Sequence, residues 1–204
     1  CKNCEARPRR SCNADHAPGS SREDQEKENG GFGKLRIGQA NRGKVLEDLI
    51  SWANNQYKAK GIAFIKKFPT PIRPLKVKGS KIEGFFEEKS ALDYIGVYRG
   101  IPIAFDAKET RETEKFPLKN IQEHQVDFME QWTKNGGQAF LIISFVKLDK
   151  IYRLNHKTIK DYWETWQKNR GRPGFASIPM LEFERSATLV EPRNGIVLDY
   201  LCGV

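Results

Sequence analysis

Cysteine, histidine and methionine are scarce in this chain of 204 residues, at four, three and two. Three of the cysteines crowd at Cys1, Cys4 and Cys12 and the fourth is Cys202. That distribution is unlike a disulfide framework, so a reducing compartment is expected. Long apolar runs are missing as well. None approaches the roughly 18 to 20 residues of a membrane span, and the basic N-terminus lacks the apolar centre of a signal peptide. The expectation is a soluble, cytoplasmic protein without a membrane partner. Acidic residues are the third shortage, 26 against 35 Lys and Arg, which leaves a net charge of +9. This balance favours a polyanion, nucleic acid first, over a neutral metabolite. Disorder is excluded by an apolar fraction of 38 % that includes 12 Phe, 6 Tyr and 4 Trp, enough to build a core.

Apolar residues are also sparse in residues 1–40, where Pro8, Pro18, Gly19, Gly30, Gly31 and Gly33 mark a basic tail or linker. The run Gly30-Gly31-Phe32-Gly33-Lys34 has a phosphate-loop look, but no strand precedes it and its Gly-Lys-Ser/Thr spacing is wrong. One domain over 41–204 is expected. Behind a capping Asn41, the positions Val45, Leu46, Leu49, Ile50 and Ala53 keep the helical period to Gly61, predicting a helix over 42–60. Residues 62–68 read as a strand. Pro69, Thr70, Pro71 and Pro74 then forbid helix and predict an extended arm. From Tyr57 to Ile82 there are eight basic residues and no acidic one. Two strand-like runs, 92–98 and 101–108, meet at Arg99-Gly100 and predict a tight hairpin with the second strand inside. A helix is predicted over 117–132, ended by Asn135-Gly136-Gly137, then a buried strand over 139–145. After 151–154, Asn155 can cap a helix carrying Ile159, Tyr162, Trp163 and Trp166, stopped at 170–173. Alternating strands and helices predict an α/β sandwich.

The chemistry concentrates on Asp93 and on Asp106-Ala107-Lys108. Strand alternation puts Asp106 and Lys108 on one face, and the hairpin return brings Asp93 beside them. Two carboxylates leave coordination positions on a hard divalent ion for water and a phosphate oxygen, and a lysine can orient that water or offset phosphoryl charge. This is the layout of a metal-dependent nuclease. Three solvated charges on an exposed face would give the same spacing; against that stands the apolar run 101–104 leading directly into Asp106.

Several longer stretches carry a resemblance. Asn41-Arg42-Gly43-Lys44, Lys67-Phe68-Pro69-Thr70-Pro71, residues 93–100, Phe105-Asp106-Ala107-Lys108-Glu109-Thr110, and Phe116-Pro117-Leu118-Lys119-Asn120-Ile121 with Glu123-His124-Gln125 together resemble the RecU family of Holliday-junction resolvases. The likeness runs from about 41 to 166, weakens afterwards and does not reach the first forty residues. It implies a restriction-endonuclease-like PD-(D/E)xK core, a central mixed β-sheet flanked by helices with a projecting stalk. It also implies a homodimer that nicks opposed strands of four-way junction DNA with Mg²⁺, for which Mn²⁺ can substitute. By motif, Asp93 is the first metal-binding acid, Asp106 the second and Lys108 the active-site lysine. Glu47 is the acid brought to the metal from the first helix, and Gln125 sits close to the phosphate. Asp106 stands where the family usually has glutamate. The stalk corresponds to about 69–90, with Arg73, Lys76, Lys78 and Lys81 as DNA contacts and Phe85 and Phe86 near its base. A strand-exchange recombinase and a branch-migration helicase are the implied protein partners. Other readings are a restriction-like or repair nuclease of the same fold, or a junction-binding protein without turnover.

Three further features stand apart. Cys1, Cys4, Cys12 and His16 offer the ligand types of a tetrahedral zinc site, though their spacing is unusual and unpaired cysteines in a basic leader explain them too. His124, a tempting general base, reads more simply as a structural residue. Tyr162, Trp163 and Trp166, at helical spacing, read as packing residues rather than a base-stacking surface.

Overall fold

The computed structural model describes residues 42–68, 72–79, 81–86 and 92–204. The cysteines and histidine of the suggested zinc segment, and the Asn41 cap, lie outside them. Helix α1 (Arg42–Ala59) buries Leu46, Ile50, Ala53 and Tyr57, spaced to form one stripe. Gly61, at φ 65°, ends it with Ile62 donating its N–H back to the Tyr57 carbonyl. Strands β1 (Ala63–Lys67), β4 (Tyr94–Tyr98) and β5 (Ile101–Thr110) then make an antiparallel run in which β4 is central. The turn between β4 and β5 is two residues, Arg99 and Gly100, both at positive φ (48° and 85°). Two left-handed residues give the primed turn whose twist matches the flanking strands, so the hairpin expected from Arg99-Gly100 forms where predicted.

Strands β7 (Gln138–Phe145), β8 (Lys150–Asn155) and β10 (Thr188–Leu189) complete a six-stranded sheet, ordered β1-β4-β5-β7-β8-β10. Only β5 and β7 are parallel, the crossover between them being made by helix α2 (Glu123–Lys134). The sheet is mixed and flanked by helices, as expected. Alternation divides its core in two. On one face Ala104, Leu141 and Ile143 pack with Val126 and Met129 of α2 and with Ile159 and Trp163 of helix α3 (His156–Lys168). On the other, Ile103, Phe105, Phe140 and Ile142 pack against α1 and the C-terminal Tyr200 and Leu201.

Three sequence expectations need correction. The helix expected over 117–132 begins only at Glu123. Pro117 closes the short strand β6 (Lys115–Pro117), which pairs with β9 (Ser177–Pro179), and a single 3₁₀ turn follows at Leu118–Asn120. Phe116 and Leu118 are both fully buried, so packing overrides the helical period there. The arm expected after β1 contains a hairpin, β2 (Ile72–Lys78) with β3 (Lys81–Phe86), that forms its own two-stranded sheet. Helix α4 (Met180–Ser186) had no counterpart in the sequence reading. Asn155 does precede α3, but its side chain makes no capping hydrogen bond.

The C-terminus is held by a buried arginine. Arg153 on β8 donates to the carbonyls of Tyr200 and Cys202 (both 2.9 Å) and Gly203 (3.2 Å), and to Thr188 Oγ1 (3.1 Å). Those bonds offset the cost of burying a guanidinium. Among the described residues no helix is long and apolar enough to cross a membrane.

The tightest backbone approach in the sheet is at Gly96 of β4. A Cβ there would lie 2.3 Å from the Phe64 carbonyl oxygen and 2.6 Å from Ile65 Cα. Both obstacles are backbone, so Gly96→Ala is expected to destabilise the fold by about 1–3 kcal/mol or more. Urea denaturation of the two proteins checks this.

Candidate active site

The active-site strands are set by register. β4 and β5 pair Tyr94 with Phe105, and β1 and β4 pair Lys67 with Tyr94. One step further along, Phe68 donates its N–H to the Asp93 carbonyl at 2.7 Å. Phe68, Asp93 and Asp106 thus form a row across three strands, on the face that α2 covers. The structure brings Asp93, Asp106, Lys108 and Gln125 together.

Asp106 is 1 % exposed, so its charge must be met inside the protein. Its Oδ1 accepts the Ala107 N–H at 2.8 Å. Its Oδ2 accepts from Gln125 Nε2 at 2.5 Å and faces Lys108 Nζ at 2.8 Å. Gln125 reaches this position because it is also part of the cap of α2. Gln122 is the N-cap, its side chain accepts from the Gln125 backbone, and the Gln122 N–H donates to Gln125 Oε1 at 3.2 Å. The amide therefore ties the start of α2 to β5 at Asp106. Lys108 stands two residues beyond Asp106 on the same face, its side chain 21 % exposed and so within reach of solvent.

Asp93 lies at the mouth of the site. Its carboxyl is pushed up from 3.8 to about 6, first by burial and then by the neighbouring Asp106 charge, with a hydrogen bond between the two; Lys67 and Lys108 oppose the shift. Two carboxylates so placed are short of positive charge at neutral pH. The donors are hard oxygens, and Mg²⁺ typically uses one or two protein carboxylates and keeps water in its other positions. The residues present therefore fit a divalent ion. Among the described residues, no group of three or more His, Cys, Asp or Glu stands in metal-binding arrangement.

Glu47 is on α1, across the sheet from Asp106, where Lys67 Nζ lies 2.7 Å from its Oε2. The structure pairs it with that lysine, whose charge also reaches Asp93. His124 takes the place before Gln125 in the first turn of α2. Lys76 is exposed on the β2–β3 hairpin that also carries Arg73, Lys78 and Lys81.

Two neighbours escaped the sequence reading. Lys67 stands 5.8 Å from the Tyr94 ring centre. Tyr94 is buried, stacks on Phe105 at 4.7 Å, and its hydroxyl has no hydrogen-bond partner. Burial, followed by the charges of Glu47, Asp93 and Asp106, holds that hydroxyl in its neutral form. The signal available in the sequence was strand parity, which places Lys67 and Tyr94 side by side on the α1 face.

A helix-flanked mixed sheet that carries two acids and a lysine on the adjoining ends of a hairpin defines the class: a restriction-endonuclease-like nuclease core. The family described as Recombination protein U matches residues 41–204, and the chain belongs to the RecU family. It is 41 % identical over 169 residues to the Holliday junction resolvase RecU of Pediococcus pentosaceus, covering 80 % of this chain and 82 % of that protein. The Geobacillus sp. protein of the same name is 38 % identical over 167 residues, 79 % of this chain and 81 % of that one. A solved structure of Hjc from Archaeoglobus fulgidus, a Holliday junction resolvase, covers 73 % of this chain and 93 % of its own at 10 % identity and a TM-score of 0.37.

The raised Asp93 value makes a pH prediction. A carboxyl whose folded pKa lies above its unfolded one contributes stability that is complete below about 4 and lost as pH rises through about 6. Asp93→Asn removes that loss. In EDTA, the variant should therefore gain stability over wild type on going from pH 4 to pH 8, by about 1–2 kcal/mol once solvent screening is allowed for. Melting curves across that range check it; a constant difference contradicts the raised Asp93 value.

Proposed function

We propose that this chain is a divalent-metal-dependent endonuclease that resolves four-way DNA junctions by paired nicks, acting as a homodimer. The observation that carries the reading is the convergence of Asp93, Asp106 and Lys108 at a solvent-accessible edge, in a chain whose relatives carry the name Holliday junction resolvase. A two-fold dimer presents two equivalent sites to a substrate of matching symmetry.

In this reading Asp93 and Asp106 hold the ion, Mg²⁺ first and Mn²⁺ as a substitute. The ion supplies Lewis-acid stabilisation of the phosphoryl oxygens. Gln125 and the Ala107 N–H keep Asp106 in one rotamer. Lys108, anchored 2.8 Å from Asp106, presents its ammonium to the phosphate, where charge grows as water adds to phosphorus and the P–O bond to the leaving strand breaks. The hairpin lysines Lys76, Lys78 and Lys81, with Arg73, neutralise phosphates and add affinity without sequence readout. Recombination in a bacterial cytoplasm, alongside a strand-exchange recombinase and a branch-migration helicase, is the setting that family membership supports. Zinc binding by Cys1, Cys4, Cys12 and His16 stays a proposal that metal analysis of the purified full chain would test.

Cleavage of a labelled four-way junction beside its linear duplex, with Mg²⁺ or EDTA, tests this directly. Wild type should nick only the junction and only with metal. Asp93→Asn should abolish cutting, and Lys108→Ala should slow it by about 10²–10³-fold, while both bind the junction in EDTA as wild type does. Binding without nicks by wild type would make the chain an architectural junction binder; cutting of the linear duplex would make it a restriction-like nuclease.

A triple variant, Lys76→Ala with Lys78→Ala and Lys81→Ala, should weaken junction binding and flatten its salt dependence. Loss of three phosphate contacts lowers the slope of log K against log salt by about 2.7. An unchanged slope would remove the hairpin from the interface.

A further inference from the structure

The sheet face that carries Asp106 and Lys108 is covered unevenly. The α2–α3 layer packs over β5, β7 and β8, and its outermost reach is Trp132, whose indole N–H donates to the Pro102 carbonyl of β5 at 3.3 Å. Among the described residues the strip from there to the β1 edge is only partly covered, at Ile95 of β4. Phe64 is 52 %, Val97 48 % and Phe68 55 % exposed.

Register explains the arrangement. Ala63 and Ile65 of β1 point into the α1 core, so Phe64, Lys66 and Phe68 alternate onto the opposite face, the one holding Asp93 and Asp106. Phe64 pairs with Val97, and Phe68 sits beside Asp93. The strip thus begins in the row of the two carboxylates and runs away from them along the edge strand as ring, ammonium, ring. Lys66 and Lys58 stand 5.8 and 5.9 Å from the centre of the Phe64 ring.

Exposed rings on an edge strand invite association, and the chemistry around Phe64 limits what can dock. An apolar protein surface would have to desolvate both ammonium groups without replacing their hydration. A second copy placed over Phe64 by a two-fold would set Lys58 and Lys66 against their own counterparts. A nucleic-acid strand has both a flat π-face for the rings and phosphates for the lysines. We infer that Phe64, Lys66 and Phe68, with Lys58, form a shelf that takes unpaired nucleotides of the DNA strand flanking the scissile phosphate. Bases stack on the two rings and the ammonium groups meet the intervening phosphates. The inference rests on the nuclease reading above and names where the cut strand lies.

The test uses the full chain and a four-way junction carrying 2-aminopurine beside the cleavage point, in EDTA. Wild type should quench the probe on binding. Phe64→Ala combined with Phe68→Ala should lower affinity about ten-fold or more and abolish the quenching, with the salt slope unchanged. Phe64→Trp combined with Phe68→Ala should recover quenching, whereas Phe64→Leu combined with Phe68→Ala should not. Lys66→Ala should instead reduce the salt slope by about one. Unchanged affinity and quenching in the double variant would overturn the shelf, as would sedimentation showing that the double variant turns a wild-type dimer into monomers. Junction cutting by wild type with Mg²⁺ is measured in parallel. A cutting wild type with indifferent shelf variants overturns this inference alone, whereas a wild type that neither binds nor cuts overturns the nuclease reading and the shelf with it.

Discussion

A carboxylate that is 1 % exposed has to find its counter-charges within the fold, and the Asp106 carboxylate imposes that demand on everything around it. One partner comes from its own strand, the Ala107 N–H. Another is Lys108, which alternation places on the same side, and the third is Gln125, delivered by a helix nineteen residues later in the chain. The parallel pairing of β5 with β7 requires a crossover, and α2 is that crossover. Burial of Asp106 and the topology of the sheet are therefore one problem with one solution. The helix that closes the core on this face also supplies the amide that satisfies the acid.

Against that saturated group, Asp93 is left deficient. It enters from the neighbouring strand, shares a hydrogen bond with Asp106 and feels its charge, and the two lysines within range do not cancel the effect. The two acids of the proposed cation site therefore differ: one is fixed by protein donors and the other is held at the mouth with its charge only partly offset. The opposite face repeats the motif with a different outcome. There Glu47 on α1 pairs with Lys67 over the buried Tyr94 ring, a half-exposed pair whose lysine also faces the Asp93 charge.

Much of this was legible because it depends on local periods. The α1 stripe, the Arg99-Gly100 turn and the alternation of β5 follow from side-chain spacing, and the hairpin register then brings Asp93 opposite Asp106. What stayed hidden depends on contacts between distant segments. The start of α2 was misplaced because Phe116 and Leu118 are buried by β9, which is some sixty residues away. The role of Arg153 could not be read from β8, since its acceptors are carbonyls, which carry no side-chain signature. Gln125 was singled out by motif, yet its bond to Asp106 depends on the helix cap that aims it.

The choice of aspartate over glutamate at position 106 belongs to the same logic. With a single methylene, the carboxylate stays close enough to the backbone for Oδ1 to accept the N–H of the very next residue, Ala107. A glutamate would carry its carboxylate one methylene away from the strand and out of that N–H's reach. The shorter acid must then be met from the other side, and Gln125 comes to it rather than the acid reaching out. Because the same amide holds the Gln122 N–H at the start of α2, the position of the acid and the start of the helix are fixed together. The short side chain of Asp106 is held in place by Gln125, whose amide oxygen is locked into a helix cap.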